Sequence, residues 1–158
     1  LWERHLYVEG NGQFRAELGN WEAGVLKEEL ADPQVVGWLR NVDRKPWSLE
    51  IPYQTGGDVR PMFPDLVIVR RDGTGFLIDI LEPHDPSLGD NFEKAVGLAR
   101  FAEKHGGMFG RIQLIRKQAS AAGERFVRLE INLSATMKKL LLITSNPQLD
   151  ELFANAAT

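Results

Sequence analysis

The sharpest hydrophobic pattern in the chain is a pair of apolar runs on either side of a short polar turn. Leu66-Val67-Ile68-Val69 ends at Arg70-Arg71, and after Asp72-Gly73-Thr74-Gly75 the chain resumes with Phe76-Leu77-Ile78-Asp79-Ile80-Leu81-Glu82. Two β-rich segments joined by a Gly-containing loop predict a hairpin. Period-2 alternation puts Phe76, Ile78 and Ile80 on one face of the second strand and Leu77, Asp79 and Leu81 on the other. Both faces are apolar, so this strand is expected to be buried on both sides. Helical signals flank it. Asn20 can cap a helix from Trp21 to about Ala31 that Asp32-Pro33 ends, and Asp90 can cap one from Asn91 to about His105 that Gly106-Gly107 closes. Pro147 to Ala156 reads as a terminal helix with Pro in its first turn, and Ser134 can cap Ala135 to Leu142. The remaining segments read as a hairpin over Arg4 to Glu17 with an Asn11-Gly12 turn, a short helix or strand at Val35 to Asn41, and a strand from Ser48 to Tyr53. A Gly-rich connection follows from Gln54 to Arg60, and Arg111 to Gln118 and Glu124 to Leu133 read as further strands. Strands interleaved with helices predict an α/β fold, with a mixed central sheet flanked by helices.

Composition narrows this picture. A chain of 158 residues suits one domain over 1–158, long enough to bury roughly two thirds of its unfolded surface. Without cysteine there are no disulfides, thiolate metal sites or cysteine nucleophiles, in keeping with a reducing cytoplasm. No long apolar run and no charged leader occur, so neither a membrane span nor a signal peptide is expected. The chain begins at Leu1 with no Met, which reads as a piece of a longer protein. A net charge of −3 argues against a protein that binds nucleic acid through bulk positive charge. It leaves room for an acidic cluster that becomes neutral only once divalent ions bind.

Asp79 is the most unusual residue, a carboxylate inside an apolar strand, where an unpaired charge costs several kcal/mol unless a cation accompanies it. Asp65 opens the preceding strand behind Pro64. Glu82 ends the acidic strand, on the face opposite Asp79 if the strand stays regular, and leads into the stiff Pro83-His84-Asp85-Pro86 loop. Glu22 borders the apolar stripe of its helix, in a first-turn place that the helix dipole favours for an acid. Lys94 lies between the apolar and solvent faces of its helix, in line with His105. Three readings stay open for it: a cation for the acidic cluster, a stem lying on Phe101, or a partner of Asp90 at i, i+4. His84 is either a phosphate or water contact, or an ordinary surface histidine. No GxSxG elbow or phosphate-cradling GxxxxGK[ST] loop is present.

Pro64-Asp65 at the start of one strand and Asp79-Ile80-Leu81 on the next resemble the PD-(D/E)XK nuclease superfamily. The ordered set Trp21-Glu22, VVGWLRN, IPY, FPDLVIV and DILEPH is similar to the nuclease-like C-terminal region of bacterial DEAD/DEAH-box helicases related to type III restriction subunits, over roughly residues 5 to 153. The resemblance implies a restriction-endonuclease-like core and a metal-dependent DNA endonuclease domain, coupled to a helicase motor in the same parent chain. It implies Mg²⁺ or Mn²⁺ held by Asp65, Asp79, Glu22 and the carbonyl of Ile80, with Lys94 or His84 orienting the nucleophile. Arg60, Arg70, Arg71 and Arg111 become candidate contacts to the DNA backbone. The chain departs from the pattern where Leu81 takes the place of the motif lysine, and Lys94 on the following helix is the expected substitute. That departure also supports the alternative of a catalytically silent nuclease-like module that binds DNA or packs on the motor as an interaction module, with Asp79 in a structural salt bridge to Lys94.

Overall fold

A computed structural model describes residues 1–7 and 10–158. Its centre is a five-stranded mixed sheet in the order β3 (Val35–Arg40), β6 (Leu66–Asp72), β7 (Gly75–Pro83), β8 (Ile112–Ser120) and β9 (Gly123–Glu130). Every neighbouring pair is antiparallel except β7 and β8, which run parallel. A parallel neighbour needs a long crossover, and α2 (Asn91–His105) supplies it. Two further two-stranded ribbons stand apart from the sheet: β1 (Trp2–Glu3) with β2 (Gln13–Phe14), and β4 (Ile51–Thr55) with β5 (Asp58–Met62). Val8 and Glu9, which the sequence pattern assigns to the N-terminal hairpin, lie outside the described residues.

The sheet is covered on both sides. On one face α1 (Asn20–Leu30) buries Val25 and Leu26 against Trp38, Leu66, Ile68, Leu81 and Ile115. On the other, α2, α3 (Ser134–Leu140) and α4 (Asn146–Ala156) pack over Ile80, Ile112, Leu114 and Leu129. Ile80 and Leu81, adjacent in sequence, therefore serve opposite cores, as the alternation requires. The α/β class, the central hairpin and the positions of the long helices agree with the sequence reading. Two-sided burial holds only for the second half of β7, because Phe76 and Ile78 are 62% and 43% exposed where the hairpin projects past the helices.

The segment from Gln54 to Arg60 is a second hairpin instead of a plain connection. Gly56 and Gly57 both take positive φ, 57° and 85°, which a two-residue turn between right-twisted strands demands. Gly97 of α2 faces this hairpin, since a Cβ there would stand 2.7 Å from the Tyr53 Cβ and 3.1 Å from the Pro52 carbonyl oxygen. Among the described residues no helix is long and apolar enough to cross a membrane.

Candidate functional site

The register of β6 and β7 decides which acids meet. Leu66 pairs with Leu81 and Ile68 with Asp79, so Asp65 lies beside Glu82 and Asp79 sits three residues further along. At ~3.3 Å per residue that is roughly 10 Å, too far for ligands at about 2 Å to share one ion. Parity separates them as well, because residues three apart on a strand point to opposite faces.

Asp79 is fully buried on the α1 side and encircled by guanidinium groups. Arg70 donates to it through Nε and through Nη2 at 2.9 Å, and Arg111 through its backbone N–H at 2.7 Å, Nε at 3.0 Å and Nη2 at 2.8 Å. Arg111 also holds Glu29 of α1, and Arg128 on β9 joins Glu29 at 2.7 Å and Glu28 at 2.8 Å. These ion pairs tie α1 to β6, β7 and β9 and to the residue that leads into β8. Burial alone would raise the Asp79 carboxyl, but the two arginines hold it below the ordinary range. The expectation that Asp79 is a metal ligand is thereby corrected: its oxygens are spent on a structural network. Its cations are Arg70 and Arg111, which also removes the anticipated bridge to Lys94 and the role of these arginines as backbone-phosphate contacts. Ile80 is mid-strand, its amide donating to Arg111 O at 2.9 Å, and its carbonyl belongs to the sheet interior instead of a site.

Asp65, Glu82, Glu22, His84 and Lys94 do come together. With Arg40 they line a cavity of about 540 Å³ at the end of β7. They come from α1, β3, β7 and its exit, α2 and the residue just before β6. Glu22 sits in the first turn of α1 and reaches back to accept the Gly19 amide at 3.3 Å, a helix-start contact made while it lines the cavity. Arg40 ends β3, Asp65 precedes β6, Glu82 and His84 flank the last residue of β7, and Lys94 projects from α2 with its ammonium 5.9 Å from the Tyr53 ring centre.

The electrostatics are those of a crowded acid cluster. Arg40 bridges Glu22 at 3.3 Å and Asp65 at 3.1 Å. Burial, and then the charge of Glu22, nonetheless lifts Asp65 to about 6. Glu82 accepts the Asp65 amide at 3.3 Å, and its carboxyl is raised well above the usual range by burial and by the Asp65 charge, with Lys94 opposing. His84 is pushed down by burial and by Lys94, so it is neutral at pH 7. Its Nε2 donates to Asn91 Oδ1 at 2.6 Å, and the Asn91 amide in turn donates to Pro86 O, which fixes the ring.

Sequence reasoning missed two of these groups. Glu82 takes the place expected of Asp79, and the signal for it was parity: the last acid before Pro83 faces the same way as Ile80. Arg40 gave no pattern, because an arginine at a strand end is usually solvated.

Among the described residues no three His, Cys, Asp or Glu side chains are arranged to hold a metal ion. The donor set that fits one is smaller, the carboxyls of Asp65 and Glu82, the second raised by the charge of the first. Hard oxygens of this kind suit Mg²⁺, which is bound through one or two carboxylates together with water and substrate phosphate oxygens.

The sequence pattern of the YagJ family matches residues 3–158. "Protein YagJ" of Escherichia coli (strain K12) is 28% identical over 116 residues, a stretch that covers 73% of this chain and 48% of that protein. The matched stretch thus spans about half the length of that relative. No solved structure matches.

Proposed function

The chain belongs to the YagJ family, a label that specifies no chemistry, and we propose a function from its own geometry: a metal-assisted phosphodiesterase site of the PD-(D/E)XK kind, acting on DNA. In this assignment Glu82-Pro83-His84 supplies the second motif instead of Asp79-Ile80-Leu81. The observation that carries the proposal is the convergence of Asp65 and Glu82 at the base of a pocket that also receives Lys94 from the next helix. Two neighbouring carboxyls, Asp65 raised by burial and by Glu22 and Glu82 raised by burial and by Asp65, form a site that gains on binding a divalent cation or a proton. The α/β core with its mixed sheet is compatible with a restriction-endonuclease-like fold, and that assignment is part of the proposal. Coupling to a helicase motor in a longer parent chain is carried by the ordered sequence resemblance alone.

A divalent ion bound between Asp65 and Glu82 would polarise the phosphodiester and acidify a coordinated water. The protein's own contributions are distinct from this. Lys94 places an ammonium on the pocket side of α2, where it can neutralise a phosphate oxygen as charge develops. His84, neutral and pinned by Asn91, orients the loop and lines the pocket without adding charge; with no extra proton at pH 7 it does not act as an imidazolium acid. Arg40 holds Glu22 and Asp65 in place, and Arg40 and Arg44 put guanidinium groups on the pocket wall that an incoming phosphate would meet.

One observation favours a second reading. Arg40 already bridges two of the acids, as an internal cation would in a nuclease-like module that binds DNA without cutting it. Calorimetry with Mg²⁺ or Mn²⁺, paired with cleavage of single-stranded, duplex and forked DNA, separates the two. The enzyme reading expects metal binding and cleavage, both lost in Glu82→Gln, with cleavage alone lost in Lys94→Ala. Absence of both metal binding and cutting in the wild-type chain would leave the binding module.

A further inference from the structure

The carboxylate pocket does not end at Arg40. Arg40 and Asp43 also line a second cavity of about 490 Å³, whose other walls come from the N-terminal segment and the loop that follows β3. This groove is aromatic where the first pocket is acidic. Phe14, Tyr7, Val42 and Trp47 line it, with Tyr7 60%, Trp47 48% and Val42 40% exposed. Keeping a large aromatic side chain half in water forgoes apolar burial that the fold would otherwise gain.

Both walls are held in place. His5, nearly buried, stacks on Phe14 with ring centres 3.7 Å apart and planes 6° apart, and meets the buried Trp38 edge-on at 4.5 Å. Leu6 N donates to Trp38 O at 2.8 Å, which ties this segment to the outer edge of β3. The loop carrying Trp47 is closed by the buried Asn41, which donates to Leu49 O and accepts from Leu49 N, each at 2.9 Å. Within it Lys45 N donates to Ser48 Oγ at 2.8 Å, and Ser48 Oγ donates to Val42 O. A ring presented from a closed loop has little conformational freedom left to lose on binding.

Charge around the groove differs from that of the chain as a whole. Arg15 and Arg40 line it, Lys45 stands in the Trp47 loop, and Arg44 lines the adjoining pocket with its guanidinium 5.5 Å from the Phe63 ring centre. Glu17 and Asp43 also line it, so the lining itself is balanced, Arg40 being further paired with Glu22 and Asp65. The local surplus of cations comes from Lys45 and Arg44 at its border, within a protein of net charge −3. Exposed aromatic rings interspersed with cations, continuous with a phosphate-cleaving pocket, match one ligand chemistry. Bases offer flat faces to the rings while the strand's phosphates meet the cations. Paired bases in a duplex are already stacked on one another and cannot present those faces.

We infer that this groove takes the unpaired bases of single-stranded nucleic acid flanking the phosphate to be cut, an inference that rests on the nuclease reading above and names its substrate class. The experiment is fluorescence anisotropy of the full chain in EDTA with three labelled probes: an oligothymidylate, an abasic strand of the same length and backbone, and a hairpin duplex. The oligothymidylate is expected to bind about tenfold tighter than either of the others, the equivalent of one stacked base. Trp47→Ala is expected to reduce its affinity to that of the abasic strand, and Trp47→Phe to retain most of it, with unchanged thermal unfolding because Trp47 is a surface residue. Equal affinity for the thymidylate and abasic strands, or unaltered binding by a folded Trp47→Ala, would overturn the inference. Adding Mg²⁺ separates the two claims. Base-dependent binding without cleavage overturns the nuclease and keeps the groove, whereas cleavage indifferent to unpaired bases overturns the groove and keeps the nuclease.

Discussion

Asp79 and Glu82 are three residues apart on one strand, and pleat parity sends their side chains to opposite sides of the sheet. On the α1 side Asp79 meets two arginines that satisfy both of its oxygens. Removing it leaves Arg70 and Arg111 charged and short of their main partner in a largely buried setting. Asp79→Ala is therefore expected to cost roughly 3–5 kcal/mol of stability, the usual cost of breaking a buried ion pair by deleting one partner. Urea unfolding checks this, and a midpoint equal to wild type combined with lost metal binding would return Asp79 to the site. In sequence Asp79 was legible as a buried carboxylate in need of a cation. Which cation was not legible, because Arg111 lies 32 positions away and the sheet alone brings it near.

At the scale of elements, α2 packs one face on the sheet while Lys94 and Gly97, three apart and so neighbours on its surface, meet the pocket and the β4–β5 hairpin. Gly97→Ala would place a methyl group 2.7 Å from the Tyr53 Cβ and 3.1 Å from a backbone carbonyl, so the hairpin must shift. Overpacking of this kind costs typically about 1–3 kcal/mol, more than the gain in helix propensity of roughly 1 kcal/mol from Gly to Ala. A lower thermal midpoint is expected, and an equal or higher one would mean that the hairpin is free to move away. The helical wheel assigns Gly97 to solvent alongside Glu93 and Arg100. That reading fails because a glycine on the polar side of a helix looks the same whether it faces water or the backbone of another element.

For the molecule as a whole, acidic groups are sorted into two kinds of environment with opposite pH behaviour. Asp79 has a lowered carboxyl pKa, so its stabilising contribution is present above the ordinary aspartate value of 3.8 and is lost as pH falls below it. Asp65, at about 6, and Glu82, higher than its ordinary 4.5, bind protons more tightly in the folded chain than in the unfolded one. Their contribution favours folding at low pH and declines as pH rises from about 3.8 through about 6 and above. Glu82→Gln is thus expected to raise the thermal midpoint at pH 8 and change it little at pH 5, a gain in stability at the expense of the site. Millimolar Mg²⁺ is expected to stabilise the wild-type chain at pH 8 more than at pH 5, since protons compete for the same oxygens. Differential scanning fluorimetry at the two pH values measures both, and a Mg²⁺ effect equal at pH 5 and pH 8 would count against the carboxylate pair as the binding site.

Local patterning determined the elements. Period-2 runs produced β6 and β7, start and stop signals located α1, α2 and α4 although Asn20 lies inside α1 behind Gly19 and Asp90 makes no side-chain cap bond, and the alternation of strands with helices led to an α/β sheet covered on both sides. These follow from interactions within a few residues, where steric and hydrogen-bonding preferences act directly. The membership of the site was decided in three dimensions. The β6–β7 register chose Glu82 over Asp79 as the neighbour of Asp65, the packing of α1 against the sheet supplied Arg40 with Glu22, and the crossover through α2 aimed Lys94 at the pair. A carboxylate's partner is set by which backbone stands beside it, and that is a property of pairing across the sheet, not of order along the chain.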